Sequence, residues 1–252
     1  MNNLKIGRFP SLGYACNEAI NTLCTNLSFS RENTRKIMMT SCHASEGKSF
    51  LSMNIMRSLT KLGKTVALVD ADLRRSTISA KYSLQFPDEN HWGLSHLLAG
   101  MVSREEVIYQ TSIPGAYMVP VGKEVLNSLS LLVSPRFEEL LDHLAQNVDY
   151  VIVDAPPVGS VIDAAEIAKS CDGTLLVVNY NEVRRQELID AKEQLEQTGC
   201  PILGTILNQV EYDNYLNRKY YYKSHYSSYE RYDQTSQTDR ETAKKGARAG
   251  RQ

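Results

Sequence analysis

The segment Cys42-His43-Ala44-Ser45-Glu46-Gly47-Lys48-Ser49 has residue types and spacing suited to phosphate chemistry. It is the second half of a phosphate-binding loop, with Cys42 where the strict motif places its first Gly. Gly47 lets the backbone close round a phosphate, and a helix opening just after it would aim N–H groups at the anion. Lys48 is the residue type that reaches β- and γ-phosphates, and Ser49 can ligate Mg²⁺. Acids then recur at the ends of two apolar runs, in Val69-Asp70-Ala71-Asp72-Leu73-Arg74 and in Asp154-Ala155-Pro156-Pro157. Magnesium keeps several waters and takes one or two carboxylates beside phosphates, so one acid near Ser49 meets its demand. A second acid close by can orient an incoming hydroxyl or accept its proton. A lone Gly-Lys-Ser is also a surface turn, and a lone Asp is often a helix cap. Three acids at strand ends beside the loop weigh against both of those readings.

Elements that would position these residues are legible on either side. Residues 36–41 and 65–70 are short apolar strands flanking a helix expected over Ser49–Leu62, with Gly63 as its C-cap. Further strands are expected at Tyr117–Val121, Tyr150–Asp154, Thr174–Val178 and Ile202–Leu207. Helices are expected at Pro135–Gln146, entered through Ser134-Pro135 as N-cap and N1, and at Val183–Gln197. Strands that are apolar throughout, alternating with helices, indicate a parallel sheet covered on both faces. The fold class is therefore α/β, a P-loop NTPase-type mostly parallel sheet covered by helices on both faces, with a disordered C-terminal tail. Ligands of such sheets lie beyond the carboxyl ends of the strands, where two of these strands end in Asp.

The chain changes character near residue 211. Eight of its 14 tyrosines fall between Tyr212 and Tyr232, and after Val210 the single aliphatic is Leu216. Such a segment cannot offset its ordering entropy by burial. It carries net +3, leaving −4 on the rest of a chain whose total is −1. The expected division is a helical arm over 1–35, a P-loop domain over 36–210 and a flexible tyrosine-rich tail over 211–252. Near-zero net charge speaks against a dedicated nucleic-acid binder. No run is long and apolar enough to span a bilayer, and the N-terminus lacks a signal core. The five cysteines are unpaired in spacing and read as reduced thiols.

Taken together, Glu46-Gly47-Lys48-Ser49, Asp70-Ala71-Asp72-Leu73-Arg74, Val151-Ile152-Val153-Asp154-Ala155-Pro156-Pro157 and the terminal tyrosines resemble a bacterial tyrosine kinase (BY-kinase). The closest type is the separate kinase subunit of capsular and exopolysaccharide operons. The resemblance spans about Glu18 to Tyr232. It implies ATP and Mg²⁺ as cofactors, with Glu46, Gly47, Lys48, Ser49, Phe50 and Asn208 binding the nucleotide. It implies Ser49, Asp72 and Asp154 at the metal, and Lys48, Asp70, Asp72 and Asp154 in catalysis, Asp70 facing the acceptor phenol. It implies autophosphorylation at Tyr220, Tyr221, Tyr222, Tyr226, Tyr229 and Tyr232. The partners it implies are a transmembrane adaptor of polysaccharide export, a cognate phosphotyrosine phosphatase and further copies of the chain in a homo-oligomer. The localisation it implies is cytoplasmic, at the inner face of the membrane through the adaptor.

One departure bears on assembly. The family's Glu-x-x-Arg-x-x-Arg ring motif keeps Glu18, but Asn21 and Cys24 stand at its Arg positions. Both guanidinium forks are missing there. Two other readings use the same motifs: a partition or septum-positioning ATPase switch, and an ATP-binding scaffold with weak transfer activity. The switch proteins carry an extra Lys early in the loop, which Cys42 to Ser45 lack.

Overall fold

The computed structural model describes residues 2–29, 34–88 and 91–210. The six expected acceptor tyrosines and the rest of the tail lie outside the described residues. Up to Gln209 the chain forms one compact unit.

Its elements, in chain order, are β1 (Asn2–Ile6), α1 (Tyr14–Ser28), β2 (Lys36–Ser41), α2 (Lys48–Lys61), β3 (Val66–Asp70), α3 (Ile78–Tyr82), β4 (Leu84–Gln85), α4 (Leu94–Leu98) and α5 (Arg104–Val107). There follow β5 (Tyr109–Thr111), β6 (Ala116–Val119), α6 (Ser128–Leu132), α7 (Pro135–Asn147), β7 (Tyr150–Asp154), α8 (Asp163–Lys169), β8 (Gly173–Asn179), α9 (Arg185–Glu196) and β9 (Ile202–Asn208). Among the described residues the strands form a 9-stranded sheet in the order β4-β1-β5-β6-β3-β7-β2-β8-β9. From β6 to β9 every neighbouring pair is parallel; β1–β4 and β5–β6 are antiparallel.

Period-two alternation divides the core between the two faces of the sheet. Met38, Val69, Val153 and Val178 belong to the cluster that also holds residues of α4, α6, α7, α8 and α9. Their strand neighbours Met39, Leu68, Ile152 and Val177 belong to the cluster packed with α1, α2 and α3. Because both faces are covered, β3 and β8 are buried along their whole length, which is why they read as unbroken apolar runs.

The expected helix punctuation is present. Ser134 Oγ accepts a hydrogen bond from Arg136 N at 3.4 Å, and Pro135 occupies the first turn of α7. Gly63 follows α2 with φ 79°, and the Lys64 N–H returns to the Leu59 carbonyl at 3.1 Å.

Residues 1–35 differ from a separate helical arm. They begin with a strand, β1, which pairs parallel with β5 and antiparallel with β4. Leu4 is 1% exposed and lies in the same core cluster as Ile20, Cys24 and Leu27 of α1. The strand is short and starts on polar residues, so its pattern is too brief to register beside α1. Cys24, at one of the missing Arg positions, is fully buried, with Sγ 3.9 Å from the Ile55 carbonyl of α2. Asn21, at the other, accepts from Ser58 Oγ of α2 at 2.7 Å and donates to Glu18 at 3.3 Å. Both positions therefore serve the α1–α2 contact in this chain.

Among the described residues no helix is long and apolar enough to cross a membrane. If β1 is integral to the core, Leu4→Ala should cost about 3 kcal/mol. Thermal unfolding followed by circular dichroism should then show Tm lowered by roughly 6–12 °C. A change within about 0.5 kcal/mol, as for an exposed arm, would contradict this placement.

Candidate nucleotide site

The sheet brings the three motifs together through neighbouring strands. β2, β3 and β7 lie side by side, so the loop after β2 meets the strand-end acids of β3 and β7. Asp70 and Asp154 are register partners at those two ends. The Ala71 N–H donates to the Asp154 carbonyl at 2.9 Å, and Ala155 N to the Met39 carbonyl at 3.0 Å, so the turns beyond the three strands are tied together.

The loop from Cys42 to Gly47 is braced from within and from β8 and β9. The Glu46 carboxylate is buried and accepts from the backbone N–H groups of His43 at 3.2 Å and Asn179 at 3.5 Å. Asn208, the last residue of β9, donates from Nδ2 to the Glu46 carbonyl at 2.8 Å. Gln209 Nε2 donates to the Ser45 carbonyl at 3.2 Å. Gly47 has φ 90°, and a β-carbon there would stand 2.1 Å from Asn208 Nδ2. Both the left-handed backbone and the close amide require glycine. Cys42, at the position of the strict motif's first Gly, is buried, and burial followed by the Glu46 charge pushes its thiol up to about 11. It is a core thiol, not a nucleophile.

A cleft of about 840 Å³ opens beside this loop, lined by Gly47, Lys48, Ser49, Phe50, Asp72 and Asn208 among others. Its size suits a ligand of nucleotide dimensions. Six expected residues are thus gathered on one cleft. Glu46 is not among its walls, because its carboxylate is spent inside the loop. Asp70 and Asp154 do not line it either; both are buried at 1% exposure.

Charge at the site is unevenly matched. Lys48 Nζ sits 3.1 Å from Asp72 Oδ2. Burial works against the Lys48 charge, but Asp154, Asp72 and Asp70 outweigh it and hold the ammonium above the usual lysine range. Asp154 Oδ1 accepts from Ser52 Oγ at 3.0 Å, and the same hydroxyl lies 2.9 Å from the Lys48 carbonyl. Asp70 Oδ2 accepts a short bond from Ser76 Oγ. The second oxygens, Asp70 Oδ1 and Asp154 Oδ2, are buried without a protein partner. Burial raises the Asp154 pKa, opposed by Lys48 and by the hydroxyls of Ser49 and Ser52. Burial followed by the Asp154 charge raises Asp70 well above the usual carboxylate range.

The buried Asp154 oxygen without a partner, beside a phosphate-type loop, the Asp72 carboxylate and a shielded hydroxyl at Ser49, is a donor set suited to a hard cation and its waters. Among the described residues no three His, Cys, Asp or Glu side chains stand ready to enclose an ion by themselves. A magnesium ion that draws further oxygens from phosphate and water fits this partial set.

Several residues that shape the site carried no signal in the motifs. Ser52 lies one helical turn after Lys48, on the same face of α2, and a check at that spacing could have found it. Ser76 stands six residues after the acid it contacts. Arg74 was visible as part of the acid motif, but its role was not. Its Nε and Nη2 donate to both oxygens of the buried Asp163 at 2.8 and 3.0 Å, and its Nη1 donates to the Leu126 carbonyl at 3.2 Å. Ser128 Oγ also donates to Asp163. Asp163 follows Arg74 by 89 positions, and nothing local links them.

A family model described as an AAA domain matches residues 34–198. The tyrosine-protein kinase CpsD of Streptococcus agalactiae is 35% identical over 209 residues, covering 80% of this chain and 90% of its own. A tyrosine-protein kinase CpsD of Streptococcus pneumoniae is 36% identical, covering 77% of this chain and 84% of its own. Of solved structures, the kinase domain of the Escherichia coli tyrosine kinase ETK superposes with TM-score 0.73 at 32% identity, over 78% of this chain and 76% of that one.

The unpartnered Asp70 oxygen and its register with Asp154 make this carboxyl costly to the fold. The folded pKa is raised above the unfolded value, so the fold binds the proton more tightly and stability falls as pH rises through that window. Asp70→Asn removes this loss. It should raise the unfolding free energy at neutral pH by about 1–2 kcal/mol in a denaturant melt. It should also flatten the decline in stability above about pH 4. A destabilised Asn variant would contradict the charge balance described.

Proposed function

The chain belongs to the bacterial tyrosine kinases, and we propose that it transfers the γ-phosphoryl group of ATP to tyrosine hydroxyls, those of its own C-terminal cluster first. The observation that carries the reading is the meeting of Lys48, Ser49 and Asp72 on one cleft with Asp70 and Asp154 at the adjoining strand ends. Similarity to proteins named tyrosine-protein kinases over most of the chain supports it.

Gly47, Lys48 and Ser49 would hold the phosphates, and Phe50 and Asn208 would face the rest of the nucleotide. Ser49, Asp72 and Asp154 would hold Mg²⁺, directly or through water. When bound, the metal nucleotide supplies the phosphoryl group and neutralises the charge that grows on its oxygens. Lys48 is set between carboxylates on one side and the cleft on the other, so its ammonium can exchange Asp72 for phosphate without leaving the site. Ser52 fixes one oxygen of Asp154 and leaves the other for the metal shell. Ser76 likewise occupies one oxygen of Asp70 and leaves Oδ1 to accept the phenol proton. A carboxylate with a raised pKa is a better base than one at its ordinary value.

The acceptors in this reading are Tyr220, Tyr221, Tyr222, Tyr226, Tyr229 and Tyr232. Each phosphate adds about −1.5 to −2 charges, so several together reverse the sign of the +3 tail. The same reading places the kinase under a transmembrane adaptor that recruits it to the membrane, opposite a phosphotyrosine phosphatase, in control of capsular or exopolysaccharide polymerisation and export.

The test is incubation of the full chain with ATP, Mg²⁺ and the adaptor's cytoplasmic segment, read with an anti-phosphotyrosine antibody. Lys48→Met should abolish the signal. Replacing the six tyrosines by Phe should remove most of it while nucleotide binding persists. ATP hydrolysis by the wild type without any phosphotyrosine would overturn the kinase reading in favour of a nucleotide switch.

A further inference from the structure

The cleft is also lined by residues to which the nucleotide reading gives no role. Leu126 lines it and is 95% exposed. Val161 lines it too, and its neighbour Ile162 is 65% exposed. Single exposed apolar side chains are ordinary, but these flank one rigid bridge. Arg74 holds the Leu126 carbonyl, and Asp163, next to Ile162 in the chain, holds Arg74 through both of its oxygens. The Val125 N–H is tied to the Leu73 carbonyl at 2.9 Å. The backbone thus fixes a water-facing leucine at the mouth of the site instead of letting it turn inward.

Two cations line the same cleft. Arg75 and Lys81 line it, both are exposed, and neither has an ion-pair partner among the described residues. Lys48 is paired with Asp72 and Arg74 with Asp163, so the uncompensated positive charge of the lining lies on Arg75 and Lys81. Apolar side chains and unpaired cations lining one cleft fit an aromatic ring with a carboxylate next to it.

Building on the kinase reading, we propose that Leu126, Val161 and Ile162 receive the ring of the acceptor tyrosine, and that Arg75 and Lys81 select a tyrosine followed directly by Glu or Asp. The occupant is an acidic tyrosine segment. Two of the six expected acceptors have this form, Tyr229-Glu230 and Tyr232-Asp233, whereas Tyr222 is followed by Lys223. Tyr229 and Tyr232 are then modified ahead of Tyr222.

The test uses the full chain with two added peptides that differ only in carrying Glu or Lys after the tyrosine, alongside site-resolved mass spectrometry of the tail. The wild type should favour the Glu peptide by about tenfold in kcat/KM. The double variant Arg75→Glu, Lys81→Glu should reverse the preference toward the Lys peptide, a gain that a misfolded variant could not show. Leu126→Ser should raise KM for both peptides by about tenfold with kcat retained. Equal use of both peptides by the wild type overturns the inference and leaves the kinase reading standing. So does a preference unmoved by charge reversal, a peptide KM unmoved in Leu126→Ser, or a loss of the charge-reversed variant confined to the KM for ATP. A wild type that makes no phosphotyrosine on peptide or tail overturns both.

Discussion

Two carboxylates at adjoining strand ends set the terms for the rest of the site. Asp70 and Asp154 are register partners on β3 and β7, almost wholly removed from water, each with one oxygen left without a protein partner. Parallel pairing gives the fold no freedom to separate them. Hydroxyls at Ser52 and Ser76 and the ammonium of Lys48 are the local answer, and they cover only part of the charge. In the proposed reading a cation arriving with phosphates would complete the balance, so the unmatched negative charge would favour binding of a metal nucleotide. The strain is tolerable because a doubly covered sheet surrounds it with two apolar cores.

The same economy governs the loop. Glu46, expected at the nucleotide, turns inward and collects backbone donors from His43 and from Asn179 at the end of β8. Asn208 and Gln209, where β9 ends, reach back to the carbonyls of Glu46 and Ser45. The conformation of the loop is therefore held by two strands far away in sequence.

What the sequence disclosed follows from the range of each interaction. Central strands were legible because burial on both faces leaves uninterrupted apolar runs, as in Val66–Asp70 and Gly173–Asn179. The loop and its acids were legible because each is a contiguous motif at a strand end. β1, β4 and β5 span five, two and three residues, too few for a period to show, and β1 is anchored by the buried Leu4. The bridge from Arg74 to Asp163 and the cover of Asn208 over Gly47 join residues 89 and about 160 positions apart, and no local pattern announces them. The similarity of the AAA-domain segment from 34 to 198 stops short of Asn208, so that contact emerges only from the three-dimensional arrangement.

The amide above Gly47 also has a historical consequence. The space that a β-carbon would need at position 47 is filled by a side chain from the far edge of the sheet, at 2.1 Å. A lineage carrying this loop cannot accept a larger residue at 47 while Asn208 remains, however mild the change. Shortening 208 would clear that space and give up the brace on the Glu46 carbonyl, yet the left-handed backbone at 47, with φ 90°, would still favour glycine. Position 47 is thus held to glycine twice over, by its own backbone and by a residue that joins the loop only through the fold.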